Sequence, residues 1–530
     1  MKDIKVLDCT LRDGGFVNDF NFGKKTIRGI FGRLSKAGID IIEVGYLYDK
    51  KEFDSNYTRF GNTDAIKDVL KDKKTDSMVV AIVDYGDCDI SRIKPVNETN
   101  LNGIRVTFKK KDIQPAAEFC KAVKAKGYQV FMQPVSVTTY TDQEILNLSK
   151  VVNDVSPYAV SIVDTYGLMH SEKVLHYFYL LDHNLKDGIT IGFHSHNNFQ
   201  MAYANCIELT HAHTSRPLIL DASCYGMGKS AGNTCTELIC MYLNENYNKN
   251  YQLSEILEII NNDIMPIYQK TPWGYRPDYY TAAQAKAHPK YVQFLGNKHT
   301  LSVSAINTIL YSIPEKNKLT FDESIIEGLY LDYQAKNIND TEAFQKLANV
   351  IKNKTITLLG PGKSLNEQKQ SIQDFINKTK PVVISVNCAP SGFPIDLVFV
   401  SNSRRYEQLE DVISQGHLKT IATSNITPVT PISLTFNYAK LIDRKQTVKD
   451  TSLLMLLNIL KQIPVNDIFL AGFDGFVAKS ENFYDSDMNV TSLPYTEKEL
   501  TDNVGNGLAN FPNRNKLHFL TQSLYQDYIR

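Results

Sequence analysis

The sequence lacks a surplus of charge of either sign. Its 530 residues carry 58 Lys and Arg against 58 Asp and Glu, so the formal net charge is zero when histidine is neutral. Proteins that bind nucleic acids normally carry a basic surplus on one face. The balance therefore argues against nucleic acid as a partner.

Long apolar runs are also absent. No segment approaches the roughly 18 apolar residues that a membrane span requires, and charged side chains interrupt the beginning of the chain, where a signal peptide needs an apolar stretch. The eight cysteines include no C-x-x-C pair, which argues against a zinc ribbon or a redox centre. We expect a protein of the reducing cytoplasm with no membrane partner, and a homo-oligomer is compatible with this composition.

What the sequence does contain is an alternation of short apolar runs and longer amphipathic segments. The segments 26–37 and 142–155 have apolar residues at three- and four-residue steps, which is typical of surface helices. Eight β-branched runs alternate with such segments, at 4–9, 39–46, 78–84, 103–108, 129–135, 159–164, 190–194 and 218–223. Eight strands alternating with helices over about 250 residues predict a (β/α)8 TIM barrel, with a doubly wound open sheet as the alternative.

The alternation also predicts three domains. We assign residues 1–245 to the barrel and 246–352 to a helical domain that closes its mouth, because helical patterns such as 253–264 and 323–331 replace the strand signal there. Residues 353–530 again contain strand candidates, at 355–359, 381–386, 397–401, 420–423 and 467–471. This last part is predicted to be a Rossmann-like α/β domain with a parallel sheet.

Polar residues stand at or near the end of every predicted barrel strand. They are Asp8, Glu43, Asp84, Thr107, Gln133, Asp164, His194 and Asp221. The carboxyl ends of parallel barrel strands converge on one mouth, so these side chains can surround a single ligand. The pattern predicts an active site at this mouth.

Two of the strand ends carry a metal-binding pattern. Arg12 and Asp13 follow the first strand directly, and His194 and His196 have the i, i+2 spacing that points both imidazoles the same way in an extended strand. Asp and His donors suit Mn²⁺, Mg²⁺ or Zn²⁺. Such an ion can bind a 2-oxo acid and stabilise an enolate, and Arg12 can donate to the same oxyanion.

Five motifs in register resemble one family. They are Asp8-Cys-Thr-Leu-Arg-Asp-Gly14, Ile42-Glu-Val-Gly45, Val163-Asp-Thr-Tyr-Gly167, His194-Ser-His-Asn197 and Gly226-Met-Gly-Lys-Ser-Ala-Gly-Asn233. Together they resemble the DRE-TIM metallolyase superfamily, which includes 4-hydroxy-2-oxovalerate aldolases, 3-hydroxy-3-methylglutaryl-CoA lyases, and the isopropylmalate and homocitrate synthases. The resemblance covers about the first 245 residues. It is closest to the aldolase branch, because Ser230 stands where the lyases carry a cysteine.

The resemblance implies roles for particular residues. By this similarity Asp13, His194 and His196 bind the metal, and Arg12 stabilises the enolate. Asn198 and Asn233 are expected to be further ligands or supports for the ligands. Substrate contacts are expected from residues around the mouth, namely Gly14, Glu43, Gln133, Asp164, Thr165 and Asn233.

The chain departs from the family at the proton-transfer group. The aldolase branch carries a His two residues after the Asp-Gly pair, where this chain has Phe16, and the synthases carry a Glu-Gln pair, where it has Gly15 and Phe16. An aldol step needs a base within hydrogen-bond reach of the substrate hydroxyl. The candidates are a water molecule at the metal, Tyr46 and Asp84, or residues after the barrel. Among the latter we predict Tyr275 and His288 as catalytic residues, with Tyr279, Tyr280 and Tyr291 as alternatives.

The second α/β domain opens with a glycine turn. Gly360-Pro-Gly-Lys-Ser364 resembles the end of a Walker A loop, but that motif requires Gly at the position of Thr357. Backbone N–H groups of such a turn can still bind an anion, so Gly360, Gly362, Lys363 and Ser364 are predicted to bind a nucleotide or nucleotide-sugar. The pattern resembles the nucleotide-binding domain of sialyltransferase-like and motility-accessory proteins. An interaction domain without a ligand is the alternative.

These observations predict a class II pyruvate aldolase, a lyase that depends on a divalent metal. It would make or break a C–C bond between the pyruvate enolate and an aldehyde. The predicted nucleotide site suggests a sugar aldehyde of surface polysaccharide synthesis. Two alternatives stay open, an acyl-CoA-dependent Claisen synthase or lyase on the same barrel, and a catalytically silent barrel that acts as a scaffold or sensor.

Overall fold

The computed structural model describes residues 2–71, 75–415, 419–428, 432–477, 482–485, 488 and 495–529. The chain divides into two compact units, Met1–Pro289 and Lys290–Arg530. The predicted three-part division at 245 and 352 stays a prediction, and its middle segment is shared between the two units.

A closed parallel barrel forms the first unit. Its strands within the described residues are β1 (Ile4–Asp8), β2 (Ile41–Leu47), β3 (Arg59–Phe60), β4 (Met78–Asp84), β5 (Gly103–Phe108), β6 (Gln129–Pro134), β7 (Ala159–Asp164), β8 (Thr190–Ser195) and β9 (Leu218–Ala222). The order β1-β9-β8-β7-β6-β5-β4-β2 closes on itself because β1 also pairs with β2, whereas β3 extends from β2 outside the ring. The predicted (β/α)8 barrel is confirmed, and the open-sheet alternative is wrong.

The period-two alternation of strand side chains separates the barrel interior from its outer layer. Along β1, Val6 packs outward in the core beneath the helices, while Leu7 belongs to a small apolar cluster inside the barrel. Among the inward-facing residues closer to the mouth are three buried charged side chains, Glu43, Arg105 and Asp221. The interior is therefore apolar at the amino-terminal ends of the strands and charged towards the mouth.

Helices follow most of the strands, whereas the described connection between β4 and β5 contains only two short 3-10 turns. The helices are α1 (Lys24–Lys36), α2 (Thr63–Leu70), α3 (Ile113–Ala125), α4 (Asp142–Val155), α5 (Ser171–Asp182), α6 (Ala202–His211), α7 (Thr236–Tyr247), α8 (Leu253–Ile259), α9 (Met265–Tyr268) and α10 (Pro277–Gln284). The predicted helix 142–155 is confirmed, and it begins at a capping box formed by Thr141 and Glu144. None of the helices in the described ranges is long and apolar enough to cross a membrane.

A second parallel sheet forms the other unit. Its strands within the described ranges are β10 (Ile356–Leu359), β11 (Val382–Val386), β12 (Leu397–Val400), β13 (Lys419–Thr423), β14 (Leu434–Phe436), β15 (Ile468–Ala471) and β16 (Leu517–Phe519). The order β14-β13-β12-β11-β10-β15-β16 changes direction between β10 and β15, the topological switch point of the sheet. The predicted parallel sheet is confirmed, but β14 and β16 were not predicted because three residues are too few to show a period.

Helices also separate the strands of the second unit. They are α11 (Pro289–Asn297), α12 (Val303–Tyr311), α13 (Glu315–Lys318), α14 (Glu323–Gln334), α15 (Thr341–Ile351), α16 (Ser364–Glu367), α17 (Lys369–Thr379), α18 (Ser403–Ser414), α19 (Tyr438–Leu441), α20 (Ser452–Leu460), α21 (Glu497–Ala509) and α22 (Gln526–Ile529). The most apolar of them, α20, is buried along most of its length in the core of this unit.

Candidate metal centre and active site

Asp13, His194 and His196 meet at the barrel mouth. Asp13 follows β1, and the two histidines lie at the end of β8, so barrel closure brings them together. Asp13 Oδ2 is 3.9 Å from His194 Nε2 and 3.9 Å from His196 Nδ1. One donor atom of each residue lies within 4.8 Å of the others, and all three residues are buried. This is the spacing of groups that can share one ion.

The charge states of two of these groups suit metal binding. Burial alone would raise the pKa of Asp13, but Arg12, His196 and His194 together hold the pKa of this carboxyl well below its ordinary value. Burial lowers the pKa of the His196 imidazole to about 4. Asp13 is therefore ionised and His196 is neutral near neutral pH, the protonation states that metal ligands require.

Asn233 adds a fourth donor group, and a second oxygen, to the cluster. Its Nδ2 donates to Asp13 Oδ2 at 2.6 Å, while its Oδ1 is buried and has no hydrogen-bond partner among the described residues. Gly228 leaves space beside Asp13 and Asn233, because a Cβ there would collide with the Asn233 amide and lie 2.9 Å from Asp13 Oδ2. Carboxylate, imidazole and a free amide oxygen form a donor set that fits a divalent metal.

Asn198 supports the neighbouring loops. Its Nδ2 donates to the Tyr166 carbonyl oxygen at 2.9 Å, and its Oδ1 accepts the Ala231 N–H at 3.1 Å. The amide thereby ties the loop after β7 to the loop after β9. The assignment of Asn198 as a ligand stays a prediction.

A pocket of about 130 Å³ opens beside the three candidate metal ligands. Its lining includes Arg12, the three candidate ligands, and the predicted substrate residues Gln133 and Thr165. Arg12 is almost fully buried, and its Nη1 donates to Asp13 Oδ1 at 2.9 Å. The Arg12 guanidinium and the candidate metal ligands therefore line the same small pocket.

Four other predicted substrate residues lie outside this lining within the described part of the chain. Asn233 bonds to Asp13, as described above, and Gly14 is packed against Met227. Glu43 accepts from Arg12 Nε at 2.6 Å, and Asp164 accepts the N–H groups of two residues in the loop that follows it. Burial raises the pKa of Asp164 to about 6. Their roles in substrate binding stay predictions.

Two of the candidate bases line the pocket. Burial, with a contribution from Asp87, raises the pKa of Asp84 above its ordinary value. Burial also raises the pKa of Tyr46, which keeps its hydroxyl protonated at neutral pH. Asp84 therefore combines access to the pocket with a basicity that suits proton transfer.

The residues predicted after the barrel are placed differently. Tyr275 is more than half exposed, and neither Tyr275 nor His288 belongs to the described lining of the pocket. Tyr280 packs against Phe199, and the hydroxyl of Tyr291 donates to two carbonyl oxygens in the second unit. The catalytic roles of Tyr275 and His288 stay predictions.

The sequence analysis missed Arg105 and Lys229 and gave Asp221 no role of its own. Lys229 lines the pocket, and Arg105 forms ion pairs with Glu43 and Asp221 inside the barrel. A lone arginine within the apolar strand β5 was the available signal. Arg105 was missed because its partners lie on β2 and β9. These strands do not neighbour β5 in the sheet and face it only across the closed barrel.

The glycine turn of the second unit contacts its own neighbours. The Gly362 N–H donates to the Gly472 carbonyl oxygen at 2.7 Å, and Asp474 accepts both the N–H and the hydroxyl of Ser364. A Cβ at Gly360 or Gly362 would collide with the loop after β15. Close packing of two loops thus requires these glycines, and nucleotide binding by Gly360, Gly362, Lys363 and Ser364 stays a prediction.

The buried Asp and two His form a donor set for a divalent metal at the mouth of the barrel, where TIM-barrel enzymes have their active sites. Residues 3–262, just under half of the chain, match the family model described as HMGL-like. Its members depend on divalent metals, and the Asp13, His194 and His196 group is able to bind one. The resemblance inferred from the barrel motifs is thereby confirmed.

Named relatives cover the same part of the molecule. The chain is 27% identical over 245 residues to an oxaloacetate decarboxylase of Mycobacterium tuberculosis, which covers 44% of this chain and 68% of that protein. It is 23% identical over 272 residues to a 4-hydroxy-2-oxovalerate aldolase of Moorella thermoacetica, covering 51% and 79%. A solved HMG-CoA lyase of Bacillus subtilis aligns with a TM-score of 0.41 and 18% identity, covering 53% of this chain and 98% of that one.

Proposed function

We propose that the barrel is a divalent-metal-dependent aldolase that makes or breaks the C–C bond beside the enolate carbon of pyruvate. The observation that carries this proposal is the placement of Arg12 beside the Asp13, His194 and His196 cluster on one pocket of about 130 Å³. When bound, a divalent ion there would supply a Lewis acid for the 2-oxo group of the substrate.

The charges around the pocket support a 2-oxo acid as the ligand. Two guanidinium groups, Arg12 and Arg105, form one buried ion-pair network with three carboxylates, Asp13, Glu43 and Asp221, so the formal charge of the network is one negative. A dication beside one carboxylate carries a net positive charge, which a substrate carboxylate neutralises. Arg12 would then donate to the oxygen that gains charge as the enolate forms.

Proton transfer needs a separate group, and Asp84 fits this role. In the cleavage direction its carboxylate takes the proton of the substrate 4-hydroxyl, the C3–C4 bond breaks, and the electron pair remains on C3 as the enolate. The raised pKa of Asp84 makes it a better base than an exposed carboxylate. The aldehyde leaves, and C3 takes a proton to give pyruvate.

The size of the pocket limits how large an aldehyde it can enclose. A short 2-oxo acid fits within about 130 Å³. A sugar aldehyde of surface polysaccharide synthesis would have to extend beyond the described lining. A Claisen reaction on an acyl-CoA is less well supported, because Ser230 stands where the lyases carry a cysteine and Gly15 stands where the synthases carry a glutamate.

A second candidate activity is decarboxylation of an oxaloacetate-type 2-oxo acid. In that reaction the C3–C4 bond breaks, carbon dioxide leaves and the same enolate remains, so no base for a hydroxyl is needed. Phe16 at the position of the aldolase His favours it, and Lys229 in the pocket lining can attract a second carboxylate. Adding the missing base with Phe16→His should raise aldol cleavage relative to decarboxylation.

The test is exchange of the pyruvate methyl protons in deuterated buffer, followed by NMR with and without Mn²⁺. We expect exchange that stops on chelation and is lost in His196→Ala. The matched control is His176→Ala, because His176 lies on the barrel exterior, paired with Asp142. Release of pyruvate from a 4-hydroxy-2-oxo acid or from oxaloacetate then separates the two activities. Exchange that survives chelation would contradict the proposal.

A further inference from the structure

Arg105 lies at the centre of a buried chain of charges. The residue is 1% exposed, and its guanidinium pairs with two carboxylates from different strands. Its Nη1 is 3.1 Å from Glu43 Oε1 on β2, and its Nη2 donates to Asp221 Oδ2 on β9. One side chain thus bridges the width of the barrel just beneath the mouth.

Each carboxylate in turn holds a residue of the proposed site. Glu43 Oε2 accepts from Arg12 Nε at 2.6 Å, and Asp221 Oδ2 lies 3.1 Å from His194 Nδ1. A carboxylate at Nδ1 fixes the proton there, which leaves Nε2 as the lone-pair donor facing Asp13. The orientation of Arg12 and the tautomer of His194 therefore depend on two carboxylates that share one arginine.

We propose that Arg105 is a positioning residue that sets the geometry of both halves of the site, Arg12 through Glu43 and His194 through Asp221. This inference rests on the proposed function, because the site it serves is the one described there. The physical reason is that removing the guanidinium leaves two carboxylates buried without the cation between them. Their side chains would then turn away from each other and carry Arg12 and His194 with them.

The plain alternative is that Arg105 only stabilises the barrel. The chain offers a matched control in Arg216, another largely buried arginine of the same unit. Its Nε donates to Asp182 Oδ1 at 2.9 Å, and its Nη1 donates to the carbonyl oxygens of Lys186 and Ile189 before β8. Arg216 therefore forms a buried ion pair at the other end of the strands, away from the mouth.

The test compares Arg105→Lys, Arg216→Lys, Asp221→Asn and Glu43→Gln in the full chain. Mn²⁺ affinity is measured by electron paramagnetic resonance without substrate, and the His194 tautomer by ¹⁵N NMR of the metal-free protein. We expect Asp221→Asn to weaken Mn²⁺ binding by about 10–100-fold, the cost of losing a partner of a metal ligand, and Arg105→Lys, which acts through Asp221, to weaken it by a smaller factor. Glu43→Gln should keep Mn²⁺ affinity and slow pyruvate exchange, and Arg216→Lys should lower the melting temperature alone.

Each outcome decides between positioning and simple stability. If Arg105→Lys lowers the melting temperature as Arg216→Lys does and leaves both Mn²⁺ affinity and the His194 tautomer unchanged, the proposal is overturned. Substitution by Lys keeps the charge, which favours a folded variant, and Asp221→Asn tests the same link if Arg105→Lys does not fold. A wild-type protein that binds no Mn²⁺ would contradict the proposed function, whereas the tautomer measurement would still test Arg105.

Discussion

The barrel and the second α/β unit both place glycine turns at the carboxyl ends of parallel strands, but within the described residues the two turns differ in the partners of their polar atoms. At the barrel mouth, Asn233 Oδ1 has no partner among the described residues, and Asp13 faces two histidines. At the switch point of the second sheet, Asp474 accepts the N–H and the hydroxyl of Ser364. In the second unit a carboxylate of the protein itself accepts from the turn.

The difference shows that two polar turns at strand ends can have their hydrogen-bonding groups satisfied in different ways. Both turns have the sequence features of ligand-binding loops, including glycines that allow close backbone approach. In the barrel, Gly228 makes room beside Asp13, whereas Gly362 makes room for the loop after β15. What distinguishes the two turns is whether the neighbouring loop leaves its polar groups unsatisfied.

Loss of a ligand should give the largest effect and tests the barrel side of this comparison. Asp13→Asn removes the carboxylate that faces both histidines, so we expect Mn²⁺ affinity to fall by more than about 100-fold, because even outer partners of ligands cost about 10–100-fold. Pyruvate exchange should be lost with it. Asp474→Asn is the counterpart in the second unit and should leave Mn²⁺ affinity unchanged. Equal effects of the two variants would break the comparison.

Arg12→Lys should give the next largest effect. Lysine keeps the charge but loses the planar fork that contacts Asp13 and Glu43 at once. We expect normal Mn²⁺ affinity and pyruvate exchange slowed by about 10²–10³-fold, the range for losing one oxyanion donor. Unchanged exchange in deuterated buffer would show that Arg12 does not act on the enolate.

Asp84→Asn should reduce aldol cleavage by about 10²-fold, the lower end of general-base catalysis, and should spare pyruvate exchange. Because burial raises the pKa of Asp84, and because the base acts in its ionised form, cleavage by the wild type should fall as pH drops through that raised pKa. The variant should lack this acid limb in its pH profile of kcat. The Asp87→Asn variant should keep this acid limb but with its midpoint at a lower pH, because Asp87 contributes to the raised pKa of Asp84.

Asp474→Ala should have the smallest effect, and it tests the glycine turn of the second unit. Removing the group that caps Ser364 N–H should lower the free energy of unfolding of the second unit by about 0.5–2 kcal/mol. The only tryptophan, Trp273, lies in the first unit, so its fluorescence reports on the barrel. Calorimetry should show the shift while the fluorescence midpoint stays constant. A shift in the fluorescence midpoint would count against this interpretation.

Much of the barrel could be predicted because its information is local. Apolar runs and polar strand ends lie within short segments, and the predicted strands 78–84, 103–108 and 159–164 coincide with β4, β5 and β7. The pairing of His194 with His196 could also be predicted, because i, i+2 spacing fixes the direction of both side chains. Such features do not depend on how distant parts of the chain meet.

The rest of the site depends on closure and could not be predicted. The ion pairs of Arg105 join β5 to β2 and β9, and no local pattern specifies those partners. The same holds for Asp474, whose bond to Ser364 joins loops far apart in the chain. Sequence patterns indicated that the turn at Gly360 could bind an anion, but only the fold shows that Asp474 faces it.

The hydrogen bond between Asp13 and Asn233 joins residues 220 positions apart in the chain. During synthesis, the loop after β1 emerges from the ribosome long before its partners, so a nascent chain that ends before Asn233 cannot assemble the complete donor set. Contacts of such high sequence separation form late and slow the folding of a domain. Completion of the donor set therefore requires that β9 and the loop after it have already joined β1.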